Sequence, residues 1–203
     1  MPLRPSQSLW SVLAVCLACS TPSAAPPRST EARSERGQVD IDDAFIAHAH
    51  LSEILEPVDA ALNCDSLEGY ESSLSPFSRA QRLLLALSLY LAEVDDGGHA
   101  QFFENETGIV WPDALAAFET IQVPEGAKIL REAAKRMGGS PSRLESERQQ
   151  QIERFASEFE DLDERLYALE RRSDLRAKML EYVRSRPGEF HFKAAPAPPA
   201  PRR

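Results

Sequence analysis

The chain has 203 residues, a net charge of -9, and only four histidines and three cysteines. Setting aside both polar, proline-rich ends leaves enough chain for one domain with a proper core. The acidic balance excludes direct DNA or RNA binding, because each phosphate contact needs a cation, and cysteines only at 16, 19 and 64 exclude a disulfide framework or a zinc quartet.

The charge is unevenly spread. From Gly37 to Ala127 there are 17 Asp and Glu against Arg79 and Arg82 alone, whereas from Lys128 onward 17 Lys and Arg face 13 Asp and Glu. Such an acidic half suits a basic protein partner.

In chain order, the first 19 residues read as an export signal. Arg4 gives a positive start, and "LWSVLAVCLAC" is an apolar stretch of eleven residues, too short to span a bilayer. Cys19 follows Leu17-Ala18 as a lipidated cysteine does in a bacterial lipoprotein, which would tether the mature protein to a membrane; ordinary cleavage near "STPSAAPP" is the competing reading. Either way the protein is expected outside the cytoplasm. Residues 20 to 38 read as a disordered tether and residues 193 to 203, "KAAPAPPAPRR", as a Pro/Ala tail. Residues 39 to 192 form the folded domain.

Within it the spacing predicts helices throughout and no period-two strand. The first is expected from Asp42 to Leu55, ended or reset by Pro57. A second starts with Ser75 as cap and Pro76 at its first position, then runs through "FSRAQRLLLALSLYLAEV". Its leucines cover nearly the whole circumference, which places it at the centre of a single compact all-α bundle. Pro112 opens another helix with Leu115, Phe118 and Ile121 inward. Pro124 opens the next, with Ile129, Leu130, Ala133 and Met137 inward and Gly138-Gly139 closing it. Ser140-Pro141 is expected to cap a charged, solvated helix containing Glu145, Arg148, Glu153 and Arg154. A final pair covers Leu162–Leu169 and Leu175–Val183. Cys64 is expected as a small packed residue.

The most distinctive stretch is "EVDDGGHAQFFEN", Glu93 to Asn105. It reads as a helix end followed at once by a new start: Gly97 and Gly98 turn the chain, and Asp96 offers its carboxylate to the next turn. Gln101 and Asn105 lie one turn apart, and Phe102 and Phe103 fill core. The chemical alternative is a metal-binding protein or metal-dependent enzyme using His50, Asp95, Asp96 and His99. It lacks the ligand order of a calcium hand, and His48 and His50 point about 200° apart on a helix, so they cannot share an ion. No serine elbow, phosphate-cradling loop or H-E-x-x-H motif is present. The expectation is therefore a protein with no catalytic residue and no cofactor.

The leucine-rich helix, this junction, "ALAAFETI…GAKILREAAKRM", "FEDLDERLYAL" and "LRAKMLEYVRSRPGEF" occur in an order that resembles the DNA mimic protein type of all-helical domain, a domain-of-unknown-function family, over about residues 75 to 190. The family junction usually reads E-V-x-N-G-G-F-x-Q-F-F-x-N. This chain matches it at Glu93, Val94, Gly97, Gly98, Gln101, Phe102, Phe103 and Asn105, and departs at Asp96 and His99. The resemblance implies an all-α bundle without known catalysis, one branch of which imitates DNA phosphates with carboxylates and occupies a DNA-binding protein. Together these features lead to an exported protein-binding domain acting through an acidic surface, with a cytoplasmic DNA mimic as the alternative.

Overall fold

A computed structural model describes residues 39–155 and 158–193. The expected export signal with Cys19, the tether, and the Pro/Ala tail beyond Lys193 lie outside the described residues. What is described is all-α: nine α-helices, two 3-10 turns and one isolated antiparallel bridge. That bridge joins the ends of the folded region, with Ile41 N–H donating to the Phe192 carbonyl at 2.8 Å and Phe192 N–H to Ile41 at 3.0 Å.

The first expected helix is two helices, α1 (Asp43–His48) and α2 (Leu51–Ala61). Ala49 and His50 are extended, and the break is held by caps. Asp42 accepts from Phe45 N–H, and the Glu53 carboxylate accepts from His50 N–H at 2.7 Å. Pro57 does not end α2. It is buried in mid-helix beside Ile54, Leu55 and Val58, and that burial outweighs the single backbone bond its ring removes.

Helix α3 (Leu67–Leu74) is a further element that the apolar pattern did not reveal; Ser66 caps it through Gly69 N–H at 3.0 Å. Ser75 and Pro76 therefore belong to the turn after α3, not to the start of the leucine helix. That helix, α4 (Arg79–Glu104), is capped by Ser78, which exchanges bonds with Gln81: Gln81 N–H donates to Ser78 Oγ and Ser78 N–H to Gln81 Oε1. A reciprocal Ser–Gln pair satisfies two end donors at once, whereas Ser75 has a serine, Ser78, three residues on and no Gln or Glu to return the bond.

Helix α4 is the axis of the bundle. Leu83, Leu84, Leu85, Leu87, Tyr90, Leu91 and Val94 are all buried. Helices α2, α5 (Trp111–Thr120), α7 (Glu145–Phe155) and α8 (Glu160–Arg172) pack around it, and α6 (Pro124–Arg136) bridges α5 and α8. Helix α9 (Leu175–Ser185) closes on α1 and α2. Tyr90 anchors an aromatic group, edge-on to Phe102 at 5.0 Å and to Phe118 at 5.7 Å. Among the described residues no helix is long and apolar enough to cross a membrane.

Two further expectations change. The inward face of α5 is built from Ala114, Ala117 and Phe118, with Leu115 only half-buried. Helix α7 begins at Glu145, because Ser140–Leu144 is spent on a loop. Within it Ser142 N–H donates to Gln151 Oε1 at 2.7 Å and Leu144 N–H to Ser142 Oγ at 3.1 Å. Cys64 is half-buried against the core.

If α4 is the axis, Leu87→Ala should cost about 2–5 kcal/mol in urea unfolding, and Leu144→Ala, 46% exposed, less than about 0.5 kcal/mol. Equal losses would remove α4 from the centre.

Candidate functional site

The Glu93–Asn105 stretch runs through α4 to its C-cap, Asn105, and as expected one helical run ends and another begins within it, at a kink where Gly97 and Gly98 are not helical. Gly97 has φ -154° and ψ 20°, and Gly98 has φ 76° and ψ -178°. The latter combination is essentially confined to glycine. Space imposes the same choice, since a Cβ on Gly98 would lie 2.5 Å from Asp163 Oδ2. A Cβ on Gly97 would run into the Gln101 side chain.

A bend releases the backbone groups on either side from their helical partners. On the far side, Asp163 of α8 takes the place of a cap: its Oδ1 accepts from His99 N–H at 2.9 Å and also from His99 Nδ1. On the near side, the Tyr167 hydroxyl donates to the Val94 carbonyl at 2.7 Å. The capping carboxylate thus comes from 64 residues along the chain rather than from Asp96. Asp96 instead accepts from Gln101 Nε2 at 2.9 Å.

Glu93 ties the two halves together. Its carboxylate accepts from Gln101 Nε2 at 3.1 Å, Asn105 Nδ2 at 2.8 Å and Thr107 Oγ1 at 2.8 Å. The two amides therefore converge on a side chain across the bend, not on backbone groups. Phe102 and Phe103 are fully buried below them.

His99 is fully buried, its ring stacked on Phe159 with centroids 6.0 Å apart. A carboxylate can only accept, so Nδ1 donates to Asp163, and Nε2 shares a hydrogen bond of 2.7 Å with the Tyr90 hydroxyl. The Asp163–His99–Tyr90 chain has the connectivity of an acid–base relay, but it ends on a buried phenol. Burial, followed by the charges of Asp163 and Glu170, holds Tyr90 well above the usual phenol range. Both ring nitrogens are engaged: Nδ1 links α4 to α8, and Nε2 links the two runs of α4 across the bend.

The far end of α4 holds a residue that sequence reasoning misplaced. Arg148 is not on a solvated face; it is fully buried. Its Nε donates to the Phe103 carbonyl at 3.0 Å, Nη2 to Asn105 at 2.6 Å and Glu106 at 3.4 Å, and Nη1 to Ser142 at 3.1 Å. The guanidinium thus caps the carbonyl end of α4, where the helix dipole favours a cation. Burial lowers its pKa to about 10, which leaves it charged at neutral pH. The available clue was the lack of any basic residue near Asn105, which left that helix end without a local cation.

The proposed ion-binding set does not assemble. His99 faces Tyr90 and Asp163, Asp96 faces Gln101, and Asp95 meets Arg176 at 3.2 Å. His50 is exposed at the start of α2, and its neighbour His48 is exposed at the end of α1. Among the described residues no group of three or more His, Cys, Asp and Glu side chains is arranged to hold a metal ion.

The other candidate site is the acidic surface. Asp40, Asp42, Asp43, Glu53, Asp65, Glu68, Glu71, Asp95, Asp96, Glu104, Glu106, Glu119 and Glu125 are exposed, which is 13 of the 17 carboxyl groups in the acidic half. Ion pairs occupy one margin of it: Arg131 with Glu119, Arg172 with Glu125 and Arg176 with Asp95. Glu68, Glu71, Glu104 and Glu106 take part in no ion pair among the described residues.

A family model described as DMP19-like protein matches residues 75–186, more than half of the chain. No curated protein and no solved structure matches it.

The bend can be tested with two glycines. Gly98 and Gly139 both have positive φ, but a Cβ on Gly139 has nothing within 4 Å. Gly139→Ala should cost about 1 kcal/mol in urea unfolding, from backbone strain alone, and Gly98→Ala about 3 kcal/mol or more, from strain plus collision with Asp163. Similar losses would mean that Asp163 does not fix the bend.

Proposed function

The chain belongs to the DMP19-like protein family, and from that premise we propose that it is a protein-binding domain with no catalytic role, offering an acidic face to a cationic surface on its partner. Family membership supports a protein partner at this coarse level. The observation that carries the reading is the density of exposed carboxylates in the half that has only two arginines. A face of that kind attracts a basic partner over about a Debye length, roughly 8–10 Å at physiological salt, and repels nucleic acid.

We further propose that the domain works outside the cytoplasm. The support is the short apolar run that ends in Leu17-Ala18-Cys19, with Cys19 as the lipid-bearing residue. The second reading is a DNA mimic that occupies a DNA-binding protein in the cytoplasm. What favours it is the family itself, together with Glu68, Glu71, Glu104 and Glu106, which take part in no ion pair among the described residues.

Two measurements test these readings. Crosslinking of the full chain in its own cells should capture a basic protein. The combined variant Glu68→Gln, Glu71→Gln, Glu104→Gln and Glu106→Gln should weaken that capture at least tenfold, and salt should do the same. Capture that ignores both would remove the acidic-face reading, and release of the partner by duplex DNA would favour mimicry. Separately, mass spectrometry of the mature protein should find an N-terminus at or beyond Cys19; an intact Met1 in the soluble cytoplasm would end the export reading.

A further inference from the structure

Three side chains of α8, Asp163, Tyr167 and Glu170, follow one another at steps of four and three and so share a face. That face lies along α4 across its bend. Asp163 holds His99 N–H, Tyr167 holds the Val94 carbonyl, and Glu170 reaches the same guanidinium, Arg176, that Asp95 does. Arg176, at the start of α9, closes the group, 3.2 Å from Asp95 and 4.0 Å from Glu170. The charged and titratable groups that face Glu170 are Asp95 and Tyr90 of α4, Tyr167 of its own helix and Arg176 of α9. Two carboxyl groups and one guanidinium thus meet at the seam beside the paired glycines.

We propose that Asp95, Glu170 and Arg176 form a proton-controlled latch, which holds α8 on the bent α4 most firmly when the two carboxyl groups share one proton. In that state Glu170 donates to Asp95 and Arg176 neutralises the remaining charge. Loss of the proton leaves two carboxylates in contact with a single cation, which disfavours the close approach. Burial first, then the hydrogen bond and charge of Asp95, pushes Glu170 up to about 7 from an ordinary 4.5, with Arg176 opposing. The folded chain therefore keeps a proton that the unfolded chain gives up above about pH 4.5. The latch contributes fully below that value and is lost as pH rises through about 7.

The test is thermal unfolding of the full chain from pH 5 to 8.5, comparing the unsubstituted protein with Glu170→Gln, and repeating both in an Asp95→Asn background. Glutamine donates to Asp95 as a protonated glutamate does, but never ionises. The two proteins should melt together at pH 5. At pH 8.5 the Glu170→Gln protein should melt about 3–6 °C higher, the response expected from roughly a tenfold change in the folding equilibrium. In the Asp95→Asn background that gap should shrink by half or more. A gap that is independent of pH, that widens toward pH 5, or that is unchanged by Asp95→Asn would overturn the latch.

Discussion

A helix at the centre of a bundle can bend only where other parts of the protein take up the backbone groups that the bend turns toward the core. Most of this structure follows from how α4 meets that condition at Gly97-Gly98. Asp163 and Tyr167 take the groups on the two sides, and both come from α8, so the position of α8 on α4 is fixed by hydrogen bonds rather than by apolar fit alone. The positive φ of Gly98 and the absence of a Cβ are two aspects of one requirement: the backbone must turn, and Asp163 must come close enough to cap it. Helix α6 is then secured from its end, where Arg136 bonds the Glu158 carbonyl at 2.8 Å and the Asp161 carboxylate.

The same accounting explains why charged groups stand inside the bundle. Glu93 gathers three neutral donors, and Arg148 gathers four carbonyl groups. A charged group buried with its hydrogen bonds complete contributes little net stability, whereas cutting back one partner leaves the others unpaired, at about 3–5 kcal/mol for a buried ion. Such groups mainly specify. An α7 displaced by one turn would leave Arg148 without its acceptors and the end of α4 without its cap.

What the sequence made legible was the class of each strong element. The leucines of α4, the proline starts of α5 and α6 and the glycine stop after Met137 are local signals, and local physics decided them. Boundaries were lost where side-chain caps outweighed the usual breakers: Glu53 restarts a helix at His50, Pro57 is carried inside it, and Ser78 rather than Ser75 begins α4. At the bend, the glycines and the two amides were readable because they lie within one turn or two of Glu93. Asp163 and Arg148 were not, since nothing in "DLDERL" or "SERQQQ" marks the one side chain that reaches 64 or 45 residues back. Arg148 was read as surface because its neighbours Glu147 and Gln149 are surface, and a helix face changes with every residue.

That division also separates architecture from interaction. Within the stretch from Glu93 to Asn105, Glu93, together with Asp163 of α8, is taken up in holding α4 to itself and to α8, whereas Glu104 is exposed. Basic side chains of the C-terminal half then draw Asp95, Glu119 and Glu125 into exposed ion pairs, each worth at most about 1 kcal/mol and screened by salt. These weak pairs matter for their position more than for their energy. They neutralise the margin where the basic half meets the acidic one and leave Glu68, Glu71, Glu104 and Glu106 outside the ion-pair set. A partner that reads negative charge therefore meets it on α3 and at the end of α4. Arg148 caps that end from within, and its guanidinium, enclosed by four carbonyl groups, is not exposed there.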